Sequence, residues 1–156
     1  MIRWPEEFDP KKCPIHVRNE LAMKVRPEYA WAWLIHAVRW PSWYSNSHNV
    51  HIEDSSGPDL GPGVHFRWKT NGVSLRSKVL EFMPCERLAW DARAFGVQAY
   101  HAWLIEPRPD GCWVLTEETQ KGWLARLGAL LMPQKMHRVH QLWLERLQSM
   151  AGDGPP

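Results

Sequence analysis

Between residues 48 and 120, short runs of alternating apolar and polar residues are interrupted by turn signals. These are Ser55-Ser56-Gly57-Pro58, Gly61-Pro62-Gly63, Thr70-Asn71-Gly72, Pro84-Cys85-Glu86, Phe95-Gly96 and Arg108-Pro109-Asp110-Gly111. Six strands fit between these breaks. Asn71-Gly72, set between Phe66/Trp68 and Val73/Leu75, is the strongest of the signals, because both residues tolerate the positive φ of a type I′ turn. A chain that reverses at each break lies down as an antiparallel meander.

The flanks complete the fold. His16 to Lys24 alternates, with Val17, Leu21 and Met23 on one side and Arg18, Glu20 and Lys24 on the other, which adds a first strand. Arg26-Pro27-Glu28 opens a helix whose apolar face is Trp31, Leu34, Ile35 and Val38 and which ends near Ala37 or Val38. Trp40-Pro41 starts a second short helix that turns back before Asn46. From Gly122 the period is helical again, and Pro133 divides a short piece from a long one running to Ala151. In the long piece Met136, His140, Trp143, Leu147 and Met150 form one stripe. The expected class is α+β: a curved seven-stranded antiparallel sheet wrapped around the long C-terminal helix, with two short helices between strands 1 and 2. Residues 1–15 read as an extended lead-in packed down by Trp4 and Phe8, 16–151 as a single domain, and 152–156 as a disordered tail.

A sheet bent around one helix leaves space near its ends, and the aromatic content suggests a use for it. The chain carries 11 tryptophans in 156 residues. Each buries roughly 150–250 Å², about 4–6 kcal/mol gross at about 25 cal/mol per Å², and a small core seldom needs so many. Rings in excess of packing point to the wall of a cavity for an apolar or aromatic guest.

Other classes are disfavoured. The 19 basic and 17 acidic residues are interspersed, so no stripe is available to neutralise a run of phosphates, and nucleic acid is not an expected partner. Cys13, Cys85 and Cys112 are odd in number and widely spaced, which argues against a disulfide framework or a thiolate metal site and for a reducing, cytoplasmic location. No apolar run approaches the ~20 residues of a membrane span, and the N-terminal residues lack an export pattern. Oligomeric state is not readable.

Five fragments, in order, resemble signposts of the START-like or SRPBCC superfamily. They are Trp40-Pro41-Ser42-Trp43-Tyr44, Gly63-Val64-His65-Phe66-Arg67-Trp68, Leu88-Ala89-Trp90, Ala99-Tyr100-His101-Ala102-Trp103 and Thr116-Glu117-Glu118-Thr119. That superfamily has the helix-grip fold and includes polyketide cyclase/dehydrase-like proteins and birch-pollen-allergen-type carriers. The resemblance covers about residues 16 to 151 and looks closest to a bacterial branch. It implies a cavity between the sheet and the last helix that takes lipids, polyketides, quinones or similar molecules, usually without a bound metal. It does not fix one reaction, since carriers, cyclases, dehydratases and hydrolases share the fold.

The residues expected to contact a ligand follow from strand parity and the helical stripe. Phe66, Trp68 and Trp90 share inward faces, Leu75 lies on the strand leaving the Asn71-Gly72 turn, and Trp43 sits on the helical elbow. His101 has the parity of Trp103. Glu117 and Glu118 must point to opposite faces, and Glu118, with the parity of Val114 and Thr116, is the inward choice. Met136, His140 and Trp143 come from the stripe. For any one ring, plain core packing competes with this role, and either histidine also reads as a satisfied core residue. An inward carboxylate is costly unless paired, so Glu118 is expected to have either a raised pKa or a partner such as His101 or an arginine.

No metal is expected, because His137/His140 and His48/His51 come without a third ligand at motif spacing; no cofactor is expected either. Nucleophile elbows and phosphate-binding glycine loops are absent. Three functions remain. The first is a carrier or sensor of a small apolar or aromatic molecule, binding it without turnover. The second is a cyclase/dehydratase-type lyase or a hydrolase that moves protons through an inward His101/Glu118 pair. The third is a protein-interaction module.

Overall fold

The structure, a computed structural model, describes residues 1–54 and 57–156, so the Ser55-Ser56 half of one turn signal lies outside the described residues. Seven strands form one antiparallel sheet: β1 Ile15–Met23, β2 Ser47–Ile52, β3 His65–Thr70, β4 Val73–Met83, β5 Arg87–Ala94, β6 Val97–Arg108 and β7 Gly111–Lys121. Their order across the sheet is β1-β7-β6-β5-β4-β3-β2, so β1 closes the meander beside its last strand. The β3–β4 hairpin turns at Asn71 and Gly72, with φ of 51° and 80°. The register shifts between Val79 and Glu81 in β4, and between His48 and His51 in β2, the kind of irregularity that bends a strand.

Among the described residues four α-helices accompany the sheet. α1 (Pro27–Ile35) and α2 (Trp40–Trp43) lie between β1 and β2, joined by a 3-10 turn at Ala37–Arg39; α1 therefore stops earlier than the apolar spacing predicts. α3 (Trp123–Leu131) and α4 (Lys135–Gly152) follow β7, separated at Pro133, which forces the preceding Met132 out of helical geometry. Gly122 makes the corner from β7 into α3 with φ of 108°, and a Cβ there would lie 2.4 Å from the Gly96 carbonyl oxygen. The sheet holds α4 on its inner face, where His140, Trp143, Leu144, Leu147 and Ala151 are buried.

A second apolar cluster accounts for one feature of β6. Tyr100, Ala102 and Leu104 alternate with the inward residues yet are apolar and buried, because Ile2, Trp4 and Phe8 of the N-terminal segment cover that outer face. This segment is extended except for a 3-10 turn at Glu6–Phe8. At the other end of the chain the Trp33 indole donates to the Gly154 carbonyl at 2.7 Å, tying the backbone past α4 to α1.

Candidate functional site: a tryptophan-walled cavity with a His-Glu-His cluster

The inner face of the sheet is crossed by one row of residues in register. Trp90 of β5 stands opposite His101 of β6, His101 opposite Glu118 of β7, and Glu118 opposite Val17 of β1. Alternation along each strand turns all four to the helix side, while Glu117 faces the other way and pairs with His16 at 2.8 Å. α4 brings His140 down onto this row. The result is a compact cluster: Glu118 Oε2 lies 3.1 Å from His101 Nδ1 and 3.2 Å from His140 Nε2. The two imidazoles are stacked, with centroids 4.7 Å apart and planes 15° from parallel.

Outer contacts hold the cluster. His101 Nε2 is 2.7 Å from the Thr116 hydroxyl, and the Gln120 amide donates to Glu118 Oε1. The turn of α4 that carries His140 is fixed from two sides. The Asn19 amide donates to the His137 carbonyl at 3.1 Å, and the Tyr44 hydroxyl donates to the Val139 carbonyl at 3.2 Å. Burial opposes ionisation of Glu118, but hydrogen bonding by His140 and the neighbouring imidazoles and amide outweigh it, holding the carboxyl below the ordinary range. Burial pushes the His101 imidazole well down, which the adjacent carboxylate only partly counters. At neutral pH Glu118 is therefore a carboxylate and His101 a neutral imidazole.

These groups lie on the wall of a cavity of about 460 Å³ between the sheet and α3–α4. Of the residues expected at a ligand site, Trp68, Leu75, Trp90, His101, Glu118, Met136, His140 and Trp143 are on its wall. Trp43, Phe66 and Trp103 are not. Trp43 packs edge-on against Trp33 at 6.4 Å, and the wall position next to it belongs to Tyr44. Phe66 fills the space behind Trp40 and Trp90, about 6.0 Å from each. Trp103, one step further along β6, stacks on His101 at 5.3 Å and meets Trp143 at 5.2 Å, on the core side of both.

Sequence reasoning missed three contributors. Trp40 is fully buried and touches Phe66, Trp68, Trp90 and Trp143, so it organises the aromatic nest while its own N–H donates to the Leu34 carbonyl at 3.0 Å. Gln120 shares the parity of Glu118 along β7 and reaches both its carboxylate and the cavity. The α3 residues Leu124, Leu127, Leu131 and Met132 line the cavity as well. Leu127, Leu131 and Met132 are also exposed, so the cavity reaches the surface past them.

Comparison with known proteins fits this architecture. Residues 14–152 match the family model described as polyketide cyclase/dehydrase and lipid transport. The chain belongs to that family. A hypothetical protein from Helicobacter pylori is 30% identical to this family member, with a TM-score of 0.90 over 97% of this chain and 96% of that one. The di-domain ARO/CYC StfQ of the steffimycin biosynthetic pathway is 13% identical with a TM-score of 0.72, over 89% of this chain and 51% of that one. A Thermus thermophilus protein is 14% identical with a TM-score of 0.72, over 91% and 100%. The last two likenesses show the fold alone. Among curated proteins none matches. Among the described residues no helix is long and apolar enough to cross a membrane.

Proposed function

We propose that this protein binds a small, largely apolar or aromatic molecule in the cavity and carries it without turnover. The observation behind the reading is the cavity itself. Its volume of about 460 Å³ lies within the roughly 300–1,000 Å³ typical of small-molecule sites, and Trp68, Trp90 and Trp143 give it flat apolar walls around one polar cluster. That division, a broad apolar surface with few polar groups, suits a molecule bearing a single polar substituent. Membership of a lipid transport and polyketide cyclase family supports the same class of guest.

The test is native mass spectrometry of the purified protein for a co-purified molecule, followed by titration with fatty acids, quinones and flavonoids read by tryptophan emission. Saturable quenching by at least one class is expected. No response in emission or melting temperature to any class would overturn the reading.

A second reading is favoured by the His101–Glu118 distance of 3.1 Å, which is hydrogen-bond geometry for acid–base work. An imidazole would take a proton from the bound molecule while Glu118 stabilises the imidazolium, as needed for cyclisation or dehydration. Glu118→Gln separates the two: under the carrier reading it alters affinity only, whereas under the second it abolishes turnover of a bound substrate.

A further inference from the structure

The sequence offers no third metal ligand near either histidine pair, but the fold brings one member of a pair, His140, to two donors from the sheet. His101, Glu118 and His140 come from β6, β7 and α4, and one donor atom from each lies within 4.8 Å of the others. All three side chains are buried. We propose that they form a binding site for one divalent first-row transition ion, zinc or ferrous iron by ligand chemistry, held by His101 Nδ1, His140 Nε2 and Glu118 Oε2 with its remaining positions open to the cavity.

The donor set fits such an ion. Two imidazole nitrogens and one carboxylate oxygen, with positions left for water or substrate, are the ligands of catalytic zinc and of non-haem iron sites. Ligands about 2.1 Å from a common ion are about 3.0–3.4 Å from one another. Two of the separations already meet this, at 3.1 and 3.2 Å. The longest, up to 4.8 Å, needs to close by about 1.5 Å, and the two rings, stacked 15° from parallel, need to turn so that both nitrogen lone pairs meet on the ion.

The outer contacts fit as well. A ligating imidazole normally donates its other N–H to a polar partner. His101 Nε2 has the Thr116 hydroxyl at 2.7 Å, and because a hydroxyl both accepts and donates, Thr116 serves either tautomer. When an ion takes Nδ1, the proton that Nδ1 gives to Glu118 resides instead on Nε2 and points at Thr116. Gln120 holds the second carboxylate oxygen and leaves Oε2 for the ion. His140 Nδ1, by contrast, is buried with no partner among the described residues, so a proton moved there from Nε2 lacks an acceptor and Thr116 is the one outer contact of this kind at the site.

Charge argues in the same direction. Among the described residues, Glu118 has only the two histidines within ion-pair distance, and no lysine or arginine reaches it. The His101, His140 and Gln120 contacts keep Glu118 ionised but bring no fixed positive charge, which a bound dication supplies.

The experiment uses the full chain, stripped with a chelator and titrated with Co²⁺ as probe, then with Zn²⁺ in competition. One equivalent of Co²⁺ with a ligand-field spectrum of low coordination number is expected, displaced by Zn²⁺. Thr116→Val should weaken binding about 10–100-fold, and Glu118→Gln and His140→Ala by more than that. His48→Ala/His51→Ala should leave it unchanged. Absence of stoichiometric binding by the unsubstituted chain, or binding that survives His140→Ala, overturns the proposal. If the variants unfold, X-ray absorption of the Zn²⁺-loaded unsubstituted chain decides. Two imidazoles with oxygen support the site, and sulfur or water alone refutes it.

This inference does not rest on the carrier reading. An apolar guest titrated into chelator-stripped protein reports on the cavity alone, so the two fail separately. Chelation also distinguishes an ion from the acid–base reading, which is indifferent to it.

Discussion

β7 runs the length of the inner face, and its two ends differ. At Cys112 the sheet is filled: Cys112 is fully buried in the same apolar cluster as Met23, Val25, Leu34, Leu147 and Ala151. At Gln120 the same strand borders the cavity, and the covering helix α3 turns much of its apolar surface outward, with Leu130 78% and Trp123 56% exposed. The difference lies in the helices. α4 is gripped along its C-terminal half by the sheet and α1, whereas α3, separated from it at Pro133, lies across the end as a cover. One sheet thus has a filled half that anchors α4 and a half, lined by His101 and Glu118, where a cavity reaches the surface past α3.

The largest test of this contrast is Trp143→Ala. Trp143 is buried against Trp40, Trp68, Trp90, Trp103 and Tyr44, stacked on the last at 4.4 Å, so its truncation should cost about 3–5 kcal/mol in denaturant unfolding. A loss below about 1 kcal/mol would mean the nest is loosely packed. Gly122→Ala, at the hinge into α3, should cost about 1–3 kcal/mol because of its φ of 108° and the Gly96 carbonyl. Its effect should appear as faster amide exchange in α3 before α4 is touched. Leu130→Ser, on the outward face of α3, should change stability by no more than about 0.5 kcal/mol; a larger loss would show that α3 is better packed than its exposure suggests. The smallest effect concerns Cys112, whose thiol burial pushes up to about 11. It should resist alkylation at mildly alkaline pH until the protein unfolds, and rapid labelling in the native state would show the filled end opening.

Local chemistry made much of this legible. The Asn71-Gly72 turn fixed the β3–β4 hairpin, and parity along β6 and β7 turned His101 and Glu118 inward. What parity cannot supply is register. That His101 faces Glu118 directly depends on how the chain reverses between Arg108 and Gly111, and that His140 meets them depends on how α4 seats in the sheet. The same limit explains Trp43 and Trp103: both are inward, yet inward is not the same as cavity-lining when neighbouring rings occupy the space. On β6 the apolar outer face blurred the alternation, because a segment some ninety residues earlier covers it.

The pairing of β1 with β7 has a consequence for how the chain is made. Ile15 pairs with Gln120, so a strand synthesised among the first must wait for nearly the last before it finds its neighbour. Hairpins from β2 to β7 can assemble as they emerge from a ribosome, but their edge stays bare until then, and contacts of such long sequence separation slow folding. The cavity, walled by residues from Pro14 to Trp143, exists in no fragment of the chain and is completed only when both ends have met.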